Sequence, residues 1–330
     1  MLDLDEDLPA VTAPTAVGPR LLSDQLLVVV VGPTASGKTQ LALRIAEAIG
    51  AEIVGCDALQ IRSGLPILTA KPRAEDIARV PHHLIGILPA QPAASAAQYV
   101  ALADDVLARL AQRRCPAVLC GGTGLYLRAL CEGLFPGPAA DPHLRAALRQ
   151  EAAEHGWPHV HARLAQIDPA AAARIRPTDP VRIERAIEIF AQSQKTQSQW
   201  FAEHAAERAR GPRYRTLRIA LDPGPDVGRA RIASRSQQMF SDGVLDEVAA
   251  QRAQGPLADA PLGYDLLCQV LDGALSMDAC QTQLVQQTAH YARRQRTWLR
   301  REPDLTWYPD LDAVPIEPIV RAVQAASAAA

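Results

Sequence analysis

One continuous stretch, "LLVVVVGPTASGKTQ" from Leu26 to Gln40, constrains the fold more than any other. Its β-branched apolar run reads as a buried strand. The run passes directly into Gly32-Pro33-Thr34-Ala35-Ser36-Gly37-Lys38-Thr39, a complete G-x-x-x-x-G-K-[ST] motif. A helical pattern follows, with Leu41, Ile45 and Ile49 on one face and Gly50 as a natural stop. Strand, loop and helix in that order is the setting in which such a loop cradles phosphate. The glycines let backbone N–H groups turn inward, and the helix N-terminus adds positive potential. Lys38 supplies a mobile cation, and the Thr39 hydroxyl is of the type that sits on a Mg²⁺ bridging phosphate oxygens. A bound diphosphate is implied; what it is attached to is not.

The remaining composition is that of a globular protein of about two domains, with 330 residues, 48% hydrophobic and 21% charged. A formal net charge of −2 excludes blanket attraction to nucleic acid but not local basic patches. No stretch approaches the length of a membrane span, and the acidic, proline-bearing N-terminus lacks the pattern of a signal peptide. The six cysteines form no C-x-x-C pair and have no histidine at zinc spacing, so free thiols in a reducing, cytoplasmic setting are expected.

Further strands are read at Glu52–Cys56, Ala117–Cys120 and Tyr214–Asp222, each followed by helical pattern. The expected fold is α/β: a P-loop NTPase-like parallel sheet flanked by helices, with a mostly helical insertion domain. The expected boundaries are a disordered leader over 1–24, a core over 25–138, the insertion over 139–210, completion of the core with basic C-terminal helices over 211–320, and a frayed tail over 321–330. Within the insertion, "DPHLRAALRQEAAEHG" and "DPVRIERAIEIFAQS" both open on an Asp-Pro helix start.

Ligand sites in open parallel sheets form at the carboxyl ends of strands, which places Asp57 opposite the loop. A turn or helix-cap role is the alternative for Asp57. The third read strand ends in "LCGGTGLYLRAL", where Thr123 offers a hydroxyl toward the same edge or serves as a helix N-cap. Two arginine clusters stand out. "HYARRQRTWLRR" puts Arg293, Arg296 and Arg300 on one helical stripe, and "ERARGPRYRTLR" carries Arg208, Arg210, Arg213, Arg215 and Arg218. Basic clusters of this kind suit RNA phosphates, with a solvated face as the alternative.

Taken in order, "GPTASGKT", "DALQ", "TAKP", "PHHLI", "GGTGLYLRAL", "DPVRIERAIEI" and "RRQRTWLR" resemble the tRNA dimethylallyltransferases, over about Val28 to Trp307. That resemblance implies transfer of a dimethylallyl group from dimethylallyl diphosphate to the exocyclic amine of the adenosine 3′ of the anticodon, with release of diphosphate. It implies Asp57 as general base, Thr123 as a hydrogen-bond donor to the bridging oxygen, and Lys38 as a catalytic cation. The diphosphate would be held by Gly32, Pro33, Thr34, Ala35, Ser36, Gly37, Lys38 and Thr39 with Arg235, and Mg²⁺ by Thr39. The implied tRNA contacts are Asp57, Ala58, Leu59 and Gln60; Thr123; Arg145; Val181, Arg182, Ile183, Glu184 and Arg185; and Arg293, Arg294, Gln295, Arg296, Thr297, Trp298, Leu299 and Arg300. A monomer gripping the anticodon stem-loop of tRNA between its two domains is expected, with no membrane involvement.

Several positions depart from the usual pattern of that family: Arg62, Pro66–Leu68, Gly86, Pro225 and Ala289. Three other functions share the phosphate loop. They are a small-molecule kinase with Asp57 activating a hydroxyl, an isopentenyltransferase acting on free adenine nucleotides, and a non-catalytic RNA-binding descendant. The two arginine clusters and "GGTGLY" favour the tRNA enzyme.

Overall fold

The computed structural model describes residues 25–329 apart from 136, 210 and 258; the side chains of 206–208 and 329 are also outside the description, as is the expected leader over 1–24. The chain divides into two compact units: one runs to Cys131 and resumes at Arg213, and the other spans Glu132–Pro212.

The larger unit is built on six strands, β1 (Leu26–Val31), β2 (Glu52–Cys56), β3 (His82–His83), β4 (Ala117–Gly121), β5 (Arg215–Leu221) and β6 (Leu305–Tyr308). They pair in the order β3-β2-β4-β1-β5-β6, every pair parallel. The first helices of the unit are α1 (Lys38–Ile49), α2 (Ala74–Arg79), α3 (Ala96–Gln112) and α4 (Gly124–Glu132). Strand residues alternate in direction, so a sheet buried on both faces shows an unbroken apolar run. In β1, Val29 and Val31 join one core with Tyr99, Leu110, Leu127 and Leu130 of α3 and α4. Val28 and Val30 join a second core with Leu41, Leu43 and Ile45 of α1. Each such fully buried side chain contributes about 1.5–3 kcal/mol relative to exposure.

The register aligns the carboxyl ends of four strands. Val31 pairs with Gly121 and Ala220, and Cys56 pairs with Gly121. The residues that follow these ends (Gly32, Asp57, Gly122 and Asp222) therefore emerge on a common edge, where ligands of such sheets bind.

Residues 132–212 carry five helices, α5 (Pro142–His155), α6 (Trp157–Ile167), α7 (Pro169–Arg174), α8 (Pro180–Ser193) and α9 (Gln197–Arg208), around a core of Leu148, Val160, Leu164, Ile183 and Ile187. Asp141 caps α5 through its contacts with the His143 and Leu144 amides, and Asp179 caps α8 through Arg182 N–H. Both are Asp-Pro starts read from the sequence. Asp168 caps α7 in the same way, accepting from Ala171 N–H at 3.0 Å.

The chain then returns to the larger unit through β5 and five more helices, α10 (Pro225–Ser241), α11 (Val244–Ala253), α12 (Tyr264–Leu271), α13 (Met277–Leu299) and α14 (Ile316–Ala329). The expected frayed tail over 321–330 is corrected as far as it is described. Residues 316–329 are helical, and Ile319, Val323 and Ala326 are buried. Alanine is the best helix former, so the run that reads as low complexity continues the helix once its apolar stripe has a core to cover. Strands β3 and β6 were also not read from the sequence. No helix among the described residues is long and apolar enough to cross a membrane.

Candidate active site

At the carboxyl edge of the sheet lies a cavity of about 500 Å³ whose lining includes the phosphate loop from Thr34 through Thr39, Asp57, Gln60, Arg235 and Gln295. Leu68, Ile232, Met239, Leu262 and Leu284 give the same cavity an apolar wall.

The loop is held open for an anion. Gly37 sits at φ 94 in the left-handed region at the N-cap of α1, and no side chain caps the helix. The first amides of α1 are thus left without intrahelical or side-chain partners, which is the arrangement that binds phosphate. Ser36 Oγ is buried and makes no hydrogen bond among the described residues. Lys38 Nζ folds back to 3.4 Å from the Pro33 carbonyl. Burial pulls the Lys38 ammonium below the usual lysine value, and the Asp57 carboxylate only partly offsets it.

Three side chains from α10 and α13 fasten the loop. Arg235 donates to Thr34 Oγ1 at 2.7 Å, Arg231 donates to the Ser36 carbonyl at 3.1 Å, and Gln295 Oε1 accepts from Thr34 N–H at 2.8 Å. Burial lowers the Arg235 guanidinium from its ordinary value, with Asp57 acting in the opposite sense. Sequence reasoning missed Arg231. Its place one helical turn before Arg235 was the signal that could have found it.

Asp57 is both a turn residue and a site residue. Its Oδ1 accepts from Leu59 N–H at 2.9 Å and from Gln60 N–H at 3.3 Å, which fixes the carboxylate, while Oδ2 makes no hydrogen bond among the described residues. Thr123 begins α4 but does not cap it with its side chain. Its Oγ1 accepts from Ala58 N–H at 2.9 Å, joining the two turns after β2 and β4 and leaving the hydroxyl proton to donate. Thr123 is not among the residues that line the cavity; it holds Ala58 N–H, in the turn between the lining residues Asp57 and Leu59. Tyr291 does line the cavity, and burial pushes its phenol up to about 12.

The donor set fits Mg²⁺ as this loop type uses it. Among the described residues no three metal-ligating side chains converge, but the Thr39 hydroxyl and the Asp57 carboxylate line the cavity beside the open amides. Mg²⁺ keeps its waters and needs few protein ligands when a substrate phosphate supplies the rest.

The residues expected to touch RNA divide sharply. Val181 is 73% exposed, and the Arg182 side chain is exposed beside Asp179. Ile183 and Glu184 are buried, the first in the helical core and the second bound to Arg149, so neither side chain is on the surface as expected. Arg145 and Arg185 both pair with the buried Glu188. On α13, Arg293, Arg294, Thr297 and Arg300 are exposed, but Gln295 and Leu299 are buried. Arg296 makes a two-pronged pair with Asp222 at 2.7 and 2.8 Å, so the expected stripe loses its middle member. Trp298 is half-buried under the Arg128 guanidinium. Gln60 donates to the Thr69 and Ala70 carbonyls, and thereby fixes the wall segment rather than standing free. The second arginine cluster is also dispersed. Arg213 pairs with Asp104, Arg215 is exposed, Arg218 is buried in β5, and Arg210 and the Arg208 side chain lie outside the described residues.

The departure at Arg62 supports the fold through its side chain, and the segment 66–68 is held through its backbone. The buried Arg62 guanidinium donates to the Ala90 and Asp259 carbonyls, and the Ile67 and Leu68 amides donate to Glu247. Gly86 takes φ 67, a left-handed conformation that suits glycine.

This arrangement agrees with what the chain is similar to. Residues 60–302 match the family model described as IPP transferase. A protein of Anaeromyxobacter dehalogenans named tRNA dimethylallyltransferase is 47% identical over 286 residues, covering 85% of this chain and 92% of that protein. One of Geobacter sulfurreducens with the same name is 40% identical over 289 residues, covering 86% and 92%. Among solved structures, the tRNA isopentenylpyrophosphate transferase of Bacillus halodurans superposes with a TM-score of 0.65 at 31% identity, over 92% of this chain and 97% of that one. A eukaryotic dimethylallyltransferase acting on tRNA shares the fold, with a TM-score of 0.72 at 20% identity over 91% of this chain and 78% of that one. With a family model spanning most of its length and relatives well above 30% identity, the chain belongs to the IPP transferase family.

Proposed function

We propose that the chain transfers a dimethylallyl group from dimethylallyl diphosphate to the exocyclic amine of the adenosine 3′ of the anticodon in tRNA. The observation that carries this function is the single cavity in which a cationic phosphate loop, an apolar wall and the Asp57 carboxylate meet. A five-carbon tail suits the wall of Leu68, Met239 and Leu284, and its diphosphate suits the loop. The relatives named tRNA dimethylallyltransferase supply the acceptor.

The adenine amine attacks the allylic carbon, the carbon–oxygen bond breaks, and diphosphate leaves. Negative charge grows on the leaving group, so fixed positive charge aimed at it lowers the barrier. Lys38, Arg235 and the open amides of α1 provide that charge. The amine loses a proton as it attacks, and Asp57 Oδ2 receives it, with Oδ1 anchoring the carboxylate through Leu59 and Gln60. Thr123 lies outside the cavity lining of this structure, where its Oγ1 accepts from Ala58 N–H, and its hydroxyl proton is the one to reach the bridging oxygen once the donor is seated. Thr39 would hold a Mg²⁺, which when bound would supply further neutralisation of the leaving group. The acceptor base must leave its stack, which costs least in a single-stranded anticodon loop. Arg182, Arg293, Arg294 and Arg300 are exposed guanidiniums suited to RNA phosphates. The enzyme works as a cytoplasmic monomer on this proposal.

The test supplies labelled dimethylallyl diphosphate and Mg²⁺ with unmodified tRNA, AMP or ATP. Label enters tRNA, and Asp57→Asn loses about 10²–10⁴-fold in rate while still binding tRNA. Label entering AMP alone would sink the tRNA assignment, and label entering nothing would leave an RNA-binding protein without catalysis.

A further inference from the structure

Gln295 was expected to face RNA, yet it is only 7% exposed and both ends of its amide are engaged. Its Oε1 accepts from Thr34 N–H in the phosphate loop at 2.8 Å, and its Nε2 donates to the Gly122 carbonyl, beside Thr123, at 3.1 Å. The two partners fix the amide orientation, since the N–H demands oxygen and the carbonyl demands NH₂. The approach is tight: a Cβ at Gly122 would stand 2.5 Å from Gln295 Nε2. Thr123 in turn holds the turn that begins at Asp57, through Ala58 N–H. A single side chain therefore joins the loop that takes the leaving group to the turns that carry the hydroxyl and the carboxylate.

We propose that Gln295 is a positioning residue that sets the separation between the phosphate loop and the Thr123–Asp57 pair, and so the alignment of donor and acceptor. Its action on turnover rests on the prenyl-transfer function proposed above. Reacting atoms held in line account for a large part of such a rate, and a misplacement near 1 Å can cost about 100-fold.

Gln295→Glu provides the discriminating test. Ionised, it presents an acceptor to the Gly122 carbonyl and the bridge opens. Protonated, it regains a donor at one end and an acceptor at the other. Facing a carbonyl in a buried place, its carboxyl titrates above the ordinary glutamate value of about 4.3. The expected kcat at about pH 8 is about 10- to 100-fold below wild type, with KM for both substrates within about threefold. The ratio of variant to wild-type kcat then rises by about fivefold or more as the pH falls to about 6. Gln295→Met, of similar length and without polar ends, loses kcat at every pH without recovery. Amide exchange in the peptide carrying Thr34 is faster than wild type in Gln295→Met, which removes the acceptor for Thr34 N–H, a readout that needs no catalysis.

A Met variant with wild-type kcat, a Glu/wild-type ratio flat with pH, or unchanged loop exchange would overturn the bridge. So would a loss confined to KM for tRNA, which would make Gln295 an RNA contact. If wild-type protein labels no tRNA, the prenyl-transfer function fails, while the exchange comparison still decides whether the bridge holds the loop.

Discussion

The helical unit and the phosphate loop of the larger unit handle positive charge in opposite ways. In the helical unit, buried carboxylates hold the arginines: Glu188 takes Arg145 and Arg185, and Glu184 takes Arg149. At the phosphate loop no carboxylate lies within ion-pair distance of Lys38, Arg231 or Arg235 among the described residues, and all three rest on neutral oxygens. Burial acts against the charge of Lys38 and Arg235, while Arg231 is exposed, and an unpaired cation kept in such a place persists when something else needs it. The contrast therefore separates charge that builds the fold from charge left without a carboxylate partner at the cavity, where the proposed function places a diphosphate.

Lys38→Ala is the strongest attempt to break that contrast. Turnover should fall about 100- to 1000-fold, while the thermal midpoint stays level or rises because a buried unpaired charge is gone. A midpoint that drops with activity would place Lys38 among the structural cations. Glu188→Gln makes the converse substitution. It strips the charge facing Arg145 and Arg185, and urea unfolding should show about 2–3 kcal/mol lost with dimethylallyl transfer per folded molecule unchanged. No loss would reduce the network to the weight of surface pairs.

A third test uses acid. Burial alone would raise the Asp222 carboxyl, but the Arg296 guanidinium overcomes it and holds the group below its ordinary value. A carboxyl lowered in the folded state contributes stability that is present above its unfolded value of about 3.8 and is lost as the pH falls through its folded value. Wild type should therefore lose stability below about pH 4 more steeply than Asp222→Asn. Parallel acid-unfolding curves would show that the pair contributes nothing to the link between β5 and α13. The smallest effect is read from salt: Arg293→Ala should reduce the slope of log K against log salt for tRNA by about 0.7–0.9. Arg296→Ala should leave that slope alone, because its guanidinium is already committed to Asp222.

The central strands and the phosphate loop were legible because β1 is an unbroken apolar run leading into the loop, and β2, β4 and β5 carry shorter apolar, β-branched stretches each followed by helical pattern. Strand β3 has two residues and β6 is partly exposed in "LTWY", so neither shows the apolar run or alternation that marks a strand. Such edge strands are specified by their neighbours. Asp57, Lys38 and Arg235 could be placed from the motif and the resemblance. The fate of α13 could not: helical periodicity puts Arg293, Arg296 and Arg300 on one stripe but does not say that Asp222, distant in sequence, waits opposite the middle one. Glu188 beside Arg145 was hidden by the same separation.

Helix α10 carries Ile232, Arg235 and Met239 at positions i, i+3 and i+7, all on the cavity side. One rigid rod thus gauges both ends of the donor. On the proposed function, a prenyl chain with an additional isoprene unit would press toward Met239 and, through the shared rod, disturb the hold of Arg235 on the diphosphate. Discrimination by tail length would then be felt as a weaker hold on the head group, with turnover falling before binding does.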